Sequence, residues 1–369
     1  MIMKHHQYLY ILLGFILFSC NPGRNNNPEP FPEPEDGYPE NIIFFIGDGM
    51  GPAHVTAAET VNNGLNITSL STTGLMTTHA ADRSVTESAA SATAMTTGVK
   101  TNYKMLGVNP DGEILKNIFE YLHERGYATG LITTTFLQGA TPAAFYAHAE
   151  LRDMYEDISV QMAHSEVDVL IGGGSFWLNE REDGLNLIDT MTSRGYSYYE
   201  HINDVPLDES GKLLVVQAQY RLPGIEDDRG DYLQQALSRA LSRLDKTRQP
   251  WFLMVENEHI DLRGHDNLQD EMLAEVVDLD LTVGNALSYA ATNQKTLIVV
   301  AGDHETGGFS ITGGNVFEGT VEGDFQGDNH TAVMVPVYAD GPGASYFSGV
   351  YDNTDMFRKF TDLLKINAH

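Results

Sequence analysis

Residues 41–49 read NIIFFIGDG, an apolar run that stops at Gly-Asp-Gly. Its unbroken series of large apolar side chains predicts a strand that is buried on both faces. Strands of this kind are typical of parallel sheets, because crossover helices cover both sides of such sheets. Asp48 falls at the carboxyl end of the strand, and open α/β sheets bind their ligands at that edge.

Strand and helix patterns alternate along the rest of the chain. Short apolar runs predict further strands at residues 127–133, 167–174, 250–256, 295–305 and 332–341. Amphipathic spacing predicts helices at residues 115–126, 232–244, 268–290 and 354–364. This alternation predicts an α/β fold, a three-layer α/β/α sandwich with a mostly parallel central sheet.

The first twenty residues have the pattern of an export signal. Lys4 precedes an apolar stretch, residues 8–18, that is too short to span a bilayer comfortably. The sequence LFSC at residues 17–20 resembles the lipobox of bacterial lipoproteins, so we expect residues 1–20 to be a lipoprotein signal peptide and Cys20 to carry a lipid. The alternative is an ordinary cleaved signal peptide with an incidental cysteine. Both interpretations place the protein outside the cytoplasm, in the periplasm or cell envelope.

Composition sets the domain organisation and excludes some partners. Residues 21–40 are rich in Pro, Asn and Glu and predict a linker, followed by a single domain over residues 41–369. The net charge of -29 argues against nucleic acid or an anionic membrane surface as an electrostatic partner. A small anionic substrate remains compatible, because a local cluster of cations can invert the field inside a cleft. With one cysteine, the chain has no internal disulfide.

Acidic and imidazole side chains follow three of the predicted strands. These side chains are Asp48, then Glu256 with Asp261 and His265, then Asp303 with His304. Each is open to a simpler interpretation, as a turn residue or a surface ion pair. Several carboxylates that converge at one edge repel one another and have raised pKa values when buried. Divalent metal ions remove that cost, and oxygen with imidazole suits zinc while oxygen alone suits magnesium.

Residues 85–98, VTESAASATAMTTG, predict a helix of small residues that starts near Ser88. Ser88 is open to two interpretations. It is a simple N-cap, as serine often is at a helix start. Alternatively, it is a nucleophile placed where the free amides of a helix N-terminus favour an anion, and a bound zinc would activate its hydroxyl.

Six ordered segments resemble the alkaline phosphatase family. They are NIIFFIGDGMG (41–51), VTESAASATAMTTGVKT (85–101), LQGATPAAFYAH (137–148) followed by Arg152, FLMVENEHIDLRGH (252–265), VVAGDHETGG (299–308) and NHTAVMVPVYADGP (329–342). The resemblance implies an alkaline phosphatase-like catalytic domain that hydrolyses small phosphate monoesters through a phosphoserine, with two zinc ions and one magnesium ion.

The resemblance also implies the role of individual residues. Ser88 is the nucleophile, and Arg152 clamps two phosphate oxygens. One zinc is held by Asp261, His265 and His330, and the second zinc by Asp303, His304 and Asp48. Magnesium is held by Asp48, Thr141 and Glu256.

This sequence departs from the family pattern at three positions. Glu87 stands where the family often has Asp before the nucleophile. Gly139 stands where Asp or His is usual, and Leu262 where Lys or His is common. The last two positions shape the water shell of magnesium, so we expect a stronger dependence on added magnesium than is usual in the family. The segment 305–329 between two of the implied ligands is short, which implies a small crown-type insertion.

Two other functions compete with this interpretation. A phosphodiesterase, phosphonate hydrolase or sulfatase of the same superfamily is the first, but Ser88 lacks the following Pro and Arg of sulfatases, and Arg152 favours monoesters. A non-catalytic phosphate-binding lipoprotein is the second, and it would be expected to lose the nucleophile or several ligands. The helical stretch LQDEMLAEVVDLDL at residues 268–281 could contribute to a homodimer interface, but core packing of its Leu and Val residues is the favoured interpretation.

Overall fold

The computed structural model describes residues 33–34 and 36–366. These residues belong to one compact unit, Glu33–His369. The predicted signal peptide, the predicted anchor at Cys20 and most of the predicted linker lie outside the described residues. At the end of the linker region, Asp36 accepts hydrogen bonds from the backbone amide and the hydroxyl of Ser345, both at 3.0 Å. Among the described residues, no helix is both long enough and apolar enough to cross a membrane.

The strands are numbered in chain order. They are β1 (Asn41–Gly47), β2 (Thr72–Thr77), β3 (Ala128–Phe136), β4 (Val169–Gly173), β5 (Tyr196–Tyr199), β6 (Lys212–Val216), β7 (Trp251–Asn257), β8 (Thr296–Gly302), β9 (Glu305–Thr306), β10 (Ser310–Asn315), β11 (Thr320–Asp324), β12 (His330–Thr331), β13 (Val335–Asp340) and β14 (Gly349–Asp352).

The helices are numbered in the same way. They are α1 (Pro52–Val61), α2 (Ser88–Thr97), α3 (Ile118–Glu124), α4 (Ala140–Ala143), α5 (Tyr155–His164), α6 (Phe176–Asn179), α7 (Leu187–Ser193), α8 (Tyr232–Thr247), α9 (His259–His265), α10 (Gln269–Thr292) and α11 (Thr354–Leu363). Short 3₁₀ turns lie at Ile67–Ser69, Ile202–Asp204, Ile225–Asp227 and Ala344–Phe347.

A ten-stranded sheet forms the centre of the fold, in the order β14-β2-β13-β8-β1-β7-β3-β4-β6-β5. β13 is antiparallel to both of its neighbours, and the other paired strands of this sheet are parallel. The prediction of a mostly parallel sheet is therefore confirmed, and each predicted strand is present. β9 to β12 form two small two-stranded sheets, β9 with β12 and β10 with β11.

Alternate side chains of the central strands point into two separate cores. In β1, Ile42, Phe44 and Ile46 pack with α2, α3, α5 and α11 on one face, while Ile43 and Phe45 pack with α1, α8 and α10 on the other. Each of these five side chains is almost fully buried. The apolar run in β1 is thus explained by helices on both faces, and the predicted three-layer sandwich is confirmed.

The long helix α10 belongs to the second core. Met272, Leu273, Val276 and Leu279 are buried against the sheet, whereas Leu281 is 53% exposed. Core packing thus accounts for most of the apolar residues in this helix.

We predict that His54 makes the protein sensitive to mild acid. Its ring is fully buried in α1, its Nδ1 accepts a hydrogen bond from the amide of Gly51 at 3.2 Å, and burial lowers its pKa to about 4. Because an unfolded histidine titrates near pH 6.5, protons bind the unfolded chain first as the pH falls. Stability should therefore be lost between about pH 6.5 and pH 4, by up to about 3 kcal/mol.

The matched variant is His54→Asn, which keeps an acceptor for Gly51 and has no titration in this range. Denaturant unfolding of both proteins in excess chelator, at pH 7 and at pH 4.5, measures the effect. The wild-type protein should lose more free energy of unfolding than the variant. Equal losses would show that His54 is not the origin of the acid sensitivity.

Candidate active site

The predicted site residues converge at the carboxyl edge of the central sheet. Gly47, the last residue of β1, is in register with Asn257 of β7 on one side and with Gly302 of β8 on the other. The residues that follow or end these strands therefore meet in space. Asp48, Glu256 and Asp303 reach the edge in this way, and each is at most 3% exposed.

Ser88 is the first residue of α2, but it is not the cap of that helix. The N-cap is Glu87, whose carboxylate accepts hydrogen bonds from the amides of Ala89 at 2.9 Å and Ala90 at 2.8 Å. The Ser88 hydroxyl is consequently not used in capping and lies 3.4 Å from Nε2 of His304. Of the two interpretations of Ser88, the simple cap is wrong.

Arg152 is fixed by the same carboxylate. Its Nη1 donates to Oε2 of Glu87 at 2.6 Å, and its backbone amide donates to the carbonyl of Lys104 at 2.9 Å. Burial alone would lower the pKa of Arg152, but the charge of Glu87 raises it above the ordinary value. The guanidinium is therefore a permanent cation next to Ser88. Glu87 is the residue that holds it.

Three of the predicted ligands form a tight group around Asp261. Nε2 of His265 lies 3.3 Å from one carboxylate oxygen of Asp261, and Nε2 of His330 lies 3.4 Å from the other. The two Nε2 atoms are 3.0 Å apart. Nδ1 of His265 faces the carbonyl of Asp328 at 2.5 Å, and Nδ1 of His330 faces that of Thr86 at 2.9 Å. If each Nδ1 carries its hydrogen, both Nε2 lone pairs face Asp261, as in a metal site.

A second group is centred on His304, whose Nε2 is 3.3 Å from oxygens of both Asp48 and Asp303. Asp48, Asp261 and His304 could hold one ion together, so Asp261 stands between the two groups. The His304 ring stacks on that of His330, with centroids 3.7 Å apart. Oδ1 of Asp303 accepts from the amides of Gly49 and His304, at 3.0 and 2.9 Å.

The predicted magnesium ligands lie on the other side of Asp48. The Thr141 hydroxyl, on α4, donates to Oδ2 of Asp48 at 3.4 Å, and the Thr133 hydroxyl donates to Glu256. Thr133 is in register with Glu256 across β3 and β7. Neither Thr133 nor Thr306 was among the predicted site residues, and the Thr306 hydroxyl donates to Asp261. A threonine inside a buried strand was the available signal for Thr133.

Burial raises the pKa values of three carboxyl groups in this site. Burial, with the charge of Asp303, raises the pKa of Asp48 well above its ordinary value. Burial raises the pKa of Asp303 to about 7 and that of Glu256 to about 8. Oδ1 of Asp48 and Oδ2 of Asp303 are buried without a hydrogen-bond donor. Unpaired carboxylate oxygens beside imidazole nitrogens are the donor set that divalent cations require, so the residues fit metal ions.

The metal-binding groups open onto a cavity of about 360 Å³. Ser88, Arg152, His265 and His330 line it, together with residues that sequence analysis did not single out: Tyr103, Lys104, Tyr155, Arg221 and Glu258. These residues come from loops and helix starts, where the sequence carries no periodic pattern.

A model of the family described as Alkaline phosphatase matches residues 39–326. This chain belongs to the alkaline phosphatase family. It is 30% identical over 412 residues to Alkaline phosphatase 4 of Bacillus subtilis, with 88% of each chain covered. It is also 30% identical over 397 residues to the alkaline phosphatase of Escherichia coli, covering 86% of this chain and 84% of that one.

Solved structures agree with this assignment. The alkaline phosphatase of the Antarctic bacterium TAB5 matches 90% of this chain and 99% of its own, with a TM-score of 0.85 and 31% identity. A variant of that enzyme, 30% identical and also with a TM-score of 0.85, has Mg bound. The predicted family and fold are confirmed, and the chain is a phosphatase of a metal-dependent family. The roles of single residues and the number and type of ions stay predictions.

Two departures from the family pattern lie near the site, Gly139 two residues before Thr141 and Leu262 directly after Asp261. Gly139 precedes α4 and offers no side chain, and Leu262 lines the cavity without a polar atom. A Cβ added at Gly139 would lie 3.0 Å from the carbonyl oxygen of Phe136 and from a methyl of Thr135. Neither position can therefore order a water molecule through its side chain.

We predict that activity depends strongly on added magnesium. The zinc-loaded protein should lose activity when magnesium is selectively removed and recover it on titration with magnesium, because Gly139 and Leu262 give its water shell no support. Calorimetric titration of magnesium into the zinc-loaded protein measures the affinity directly. Gly139→Asp should tighten magnesium binding, whereas Gly139→Ala, which adds the same crowded Cβ without a carboxylate, should not. Activity that is unchanged after magnesium removal would contradict the prediction.

Proposed function

We propose that this protein is an exported alkaline phosphatase that hydrolyses small phosphate monoesters through a phosphoserine formed on Ser88. The observation that carries the proposal is the state of the Ser88 hydroxyl. Glu87 caps the helix, so this hydroxyl is available at a helix N-terminus, beside a fixed arginine and two groups of metal-binding side chains. A phosphoryl group that reaches Ser88 meets the positive end of a helix and a cation.

The reaction takes two displacements at phosphorus. The Ser88 oxygen bonds to phosphorus as the ester oxygen leaves with a proton, and water then attacks the phosphoserine and releases inorganic phosphate. Arg152 holds two phosphate oxygens through its planar guanidinium, and it keeps the group in line with the attacking oxygen. Glu87 holds Arg152 in place throughout, because its hydrogen bonds to α2 also fix its own position.

The assignment of metal ligands follows the same proposal. Asp261, His265 and His330 would hold one zinc; Asp48, Asp303 and His304 would hold the second; and Asp48, Thr141 and Glu256 would hold magnesium. When bound, the two zinc ions stabilise the oxygens that enter and leave phosphorus and favour the deprotonated serine and water. Asp48 can serve two ions because Oδ1 faces His304 and Oδ2 faces Thr141.

The main alternative is a phosphodiesterase or phosphonate hydrolase built on the same fold. Arg152 argues for monoesters, because a monoester dianion offers two charged oxygens to one guanidinium. A diester has only one such charge. A non-catalytic phosphate-binding lipoprotein is disfavoured by the complete set of polar groups around Ser88.

We predict a large preference for an aryl phosphate monoester over its methyl diester, measured as the ratio of kcat/KM with zinc and magnesium present. Ser88→Ala should lose monoester hydrolysis by at least about a thousandfold, because no phosphoserine can form. Arg152→Lys keeps the charge but not the paired donors, so it should lower the monoester preference. A diester preference in the wild-type protein would favour the phosphodiesterase, and metal binding without hydrolysis would favour the phosphate-binding protein.

We propose that the enzyme acts outside the cytoplasm and is anchored through a lipid on Cys20, on the strength of the LFSC sequence at residues 17–20. In a bacterial host, the full chain should fractionate with membranes, and Cys20→Ser should not. Release of both proteins in soluble form would indicate an ordinary cleaved signal peptide.

A further inference from the structure

Arg221 lines the same cavity as Ser88 and Arg152, and the reaction described above makes no use of it. It lies in the loop after β6, where the amide of the next residue, Leu222, donates to the carbonyl of Thr134 at 3.1 Å. The carbonyl of Leu222 faces Nε2 of His259 at 3.0 Å. The loop is thus tied to β3 and to α9, so the position of Arg221 is set by the fold.

The guanidinium of Arg221 is held by one carboxylate and keeps donors to spare. Its Nε and Nη2 donate to the two oxygens of Glu258, each at 3.2 Å. Of the five N–H groups of a guanidinium, these bonds use two. The remaining N–H groups have no acceptor among the described residues. The Arg221 side chain is 44% exposed, and its guanidinium carbon, Cζ, lies 5.8 Å from the ring centre of Phe136.

The two guanidinium groups of the cavity are attached to different parts of the fold. Arg152 is bonded to Glu87 at the start of α2, whereas Arg221 is bonded to Glu258 just before α9. Lys104 is on the Arg152 side, because its carbonyl accepts from the amide of Arg152, and its ammonium is 3.7 Å from Asp153. Leu262, which also lines the cavity, has no side-chain hydrogen-bond donor for a substrate. Arg221 is therefore a cation available to a part of the substrate that Arg152 does not bind.

We propose that Arg221 contacts the leaving group and selects phosphate monoesters that carry a second anionic group, a carboxylate or a phosphate, close to the ester bond. This inference rests on the proposed function. A planar guanidinium with unused N–H groups matches the oxygens of such an anion. Glu258 keeps the guanidinium in position without satisfying it, so little side-chain entropy is lost on binding.

The test compares two substrates that differ by one group. In 2-phosphoglycerate, a carboxylate replaces one hydroxymethyl group of glycerol 2-phosphate. The ratio of their kcat/KM values is measured on the full protein loaded with zinc and magnesium, with metal content checked in each variant. Arg221→Gln should lower the ratio of 2-phosphoglycerate to glycerol 2-phosphate about tenfold, because a charged hydrogen bond is lost with only one of the substrates.

Changing Glu258 separates direct contact from an effect through that carboxylate. Glu258→Gln removes a competing negative charge and leaves Arg221, so the ratio should rise. In the double variant the ratio should stay as low as in Arg221→Gln. A ratio of kcat/KM values that is unchanged in Arg221→Gln would overturn the proposal, because Arg221 would then not contact the second anion. A ratio restored to the wild-type value in the double variant would also overturn it, because Arg221 would then act only by neutralising Glu258.

Binding measurements keep this inference distinct from the proposed function. If the wild-type protein hydrolyses neither substrate, the proposed function fails. Calorimetry of 2-phosphoglycerate with loaded Ser88→Ala, with and without Arg221→Gln, then tests Arg221 without turnover. A Kd that is about tenfold weaker when Arg221→Gln is combined with Ser88→Ala supports the contact, and equal Kd values overturn it.

Discussion

The burial of several carboxylates at one edge of the sheet is the constraint on which this site depends. β8, β1 and β7 are adjacent and parallel, so the acids that end or follow them cannot avoid one another. A buried carboxylate oxygen without a hydrogen-bond donor costs free energy, and Oδ1 of Asp48 and Oδ2 of Asp303 are such atoms in the protein alone. The fold therefore stores unfavourable electrostatic energy that divalent cations relieve on binding, which couples metal affinity to folding.

Glu87 also fixes a cation beside Ser88, the proposed nucleophile. Its carboxylate receives the amides of Ala89, Ala90 and Lys104 as well as the guanidinium of Arg152. A carboxylate with this many donors is fixed in position, so Arg152 is held before any substrate arrives. The same bonds cap the start of α2, so the Ser88 hydroxyl is not needed as a cap. One side chain thus fixes both the proposed phosphate clamp, Arg152, and the position of the proposed nucleophile, Ser88.

The parts of this fold that could be predicted from sequence are those with a strong local pattern. β1, β7 and β8 are continuous apolar runs, and their polar ends identified most of the site. The edge strand β5 and the strand β2, which lies next to the other edge, could not be predicted, because YSYY and TTGLMT alternate only weakly and are partly exposed. The status of Ser88 could not be settled either, because it depends on which of two neighbouring side chains reaches the helix amides. Arg221 was missed for a related reason, since its place in the cavity is set by backbone hydrogen bonds between distant segments.

In the proposed function, the two arginines allow a chain with a net charge of -29 to receive an anion. Each guanidinium is paired with a poorly exposed glutamate, and Glu87 and Glu258 are 3% and 13% exposed. A pair of this kind is nearly neutral at a distance, so it adds little to the long-range field. At close range, the guanidinium N–H groups that the two glutamates leave unused can still donate to a correctly placed hydrogen-bond acceptor. Recognition of the substrate then depends on local donor geometry, which an acidic surface does not cancel.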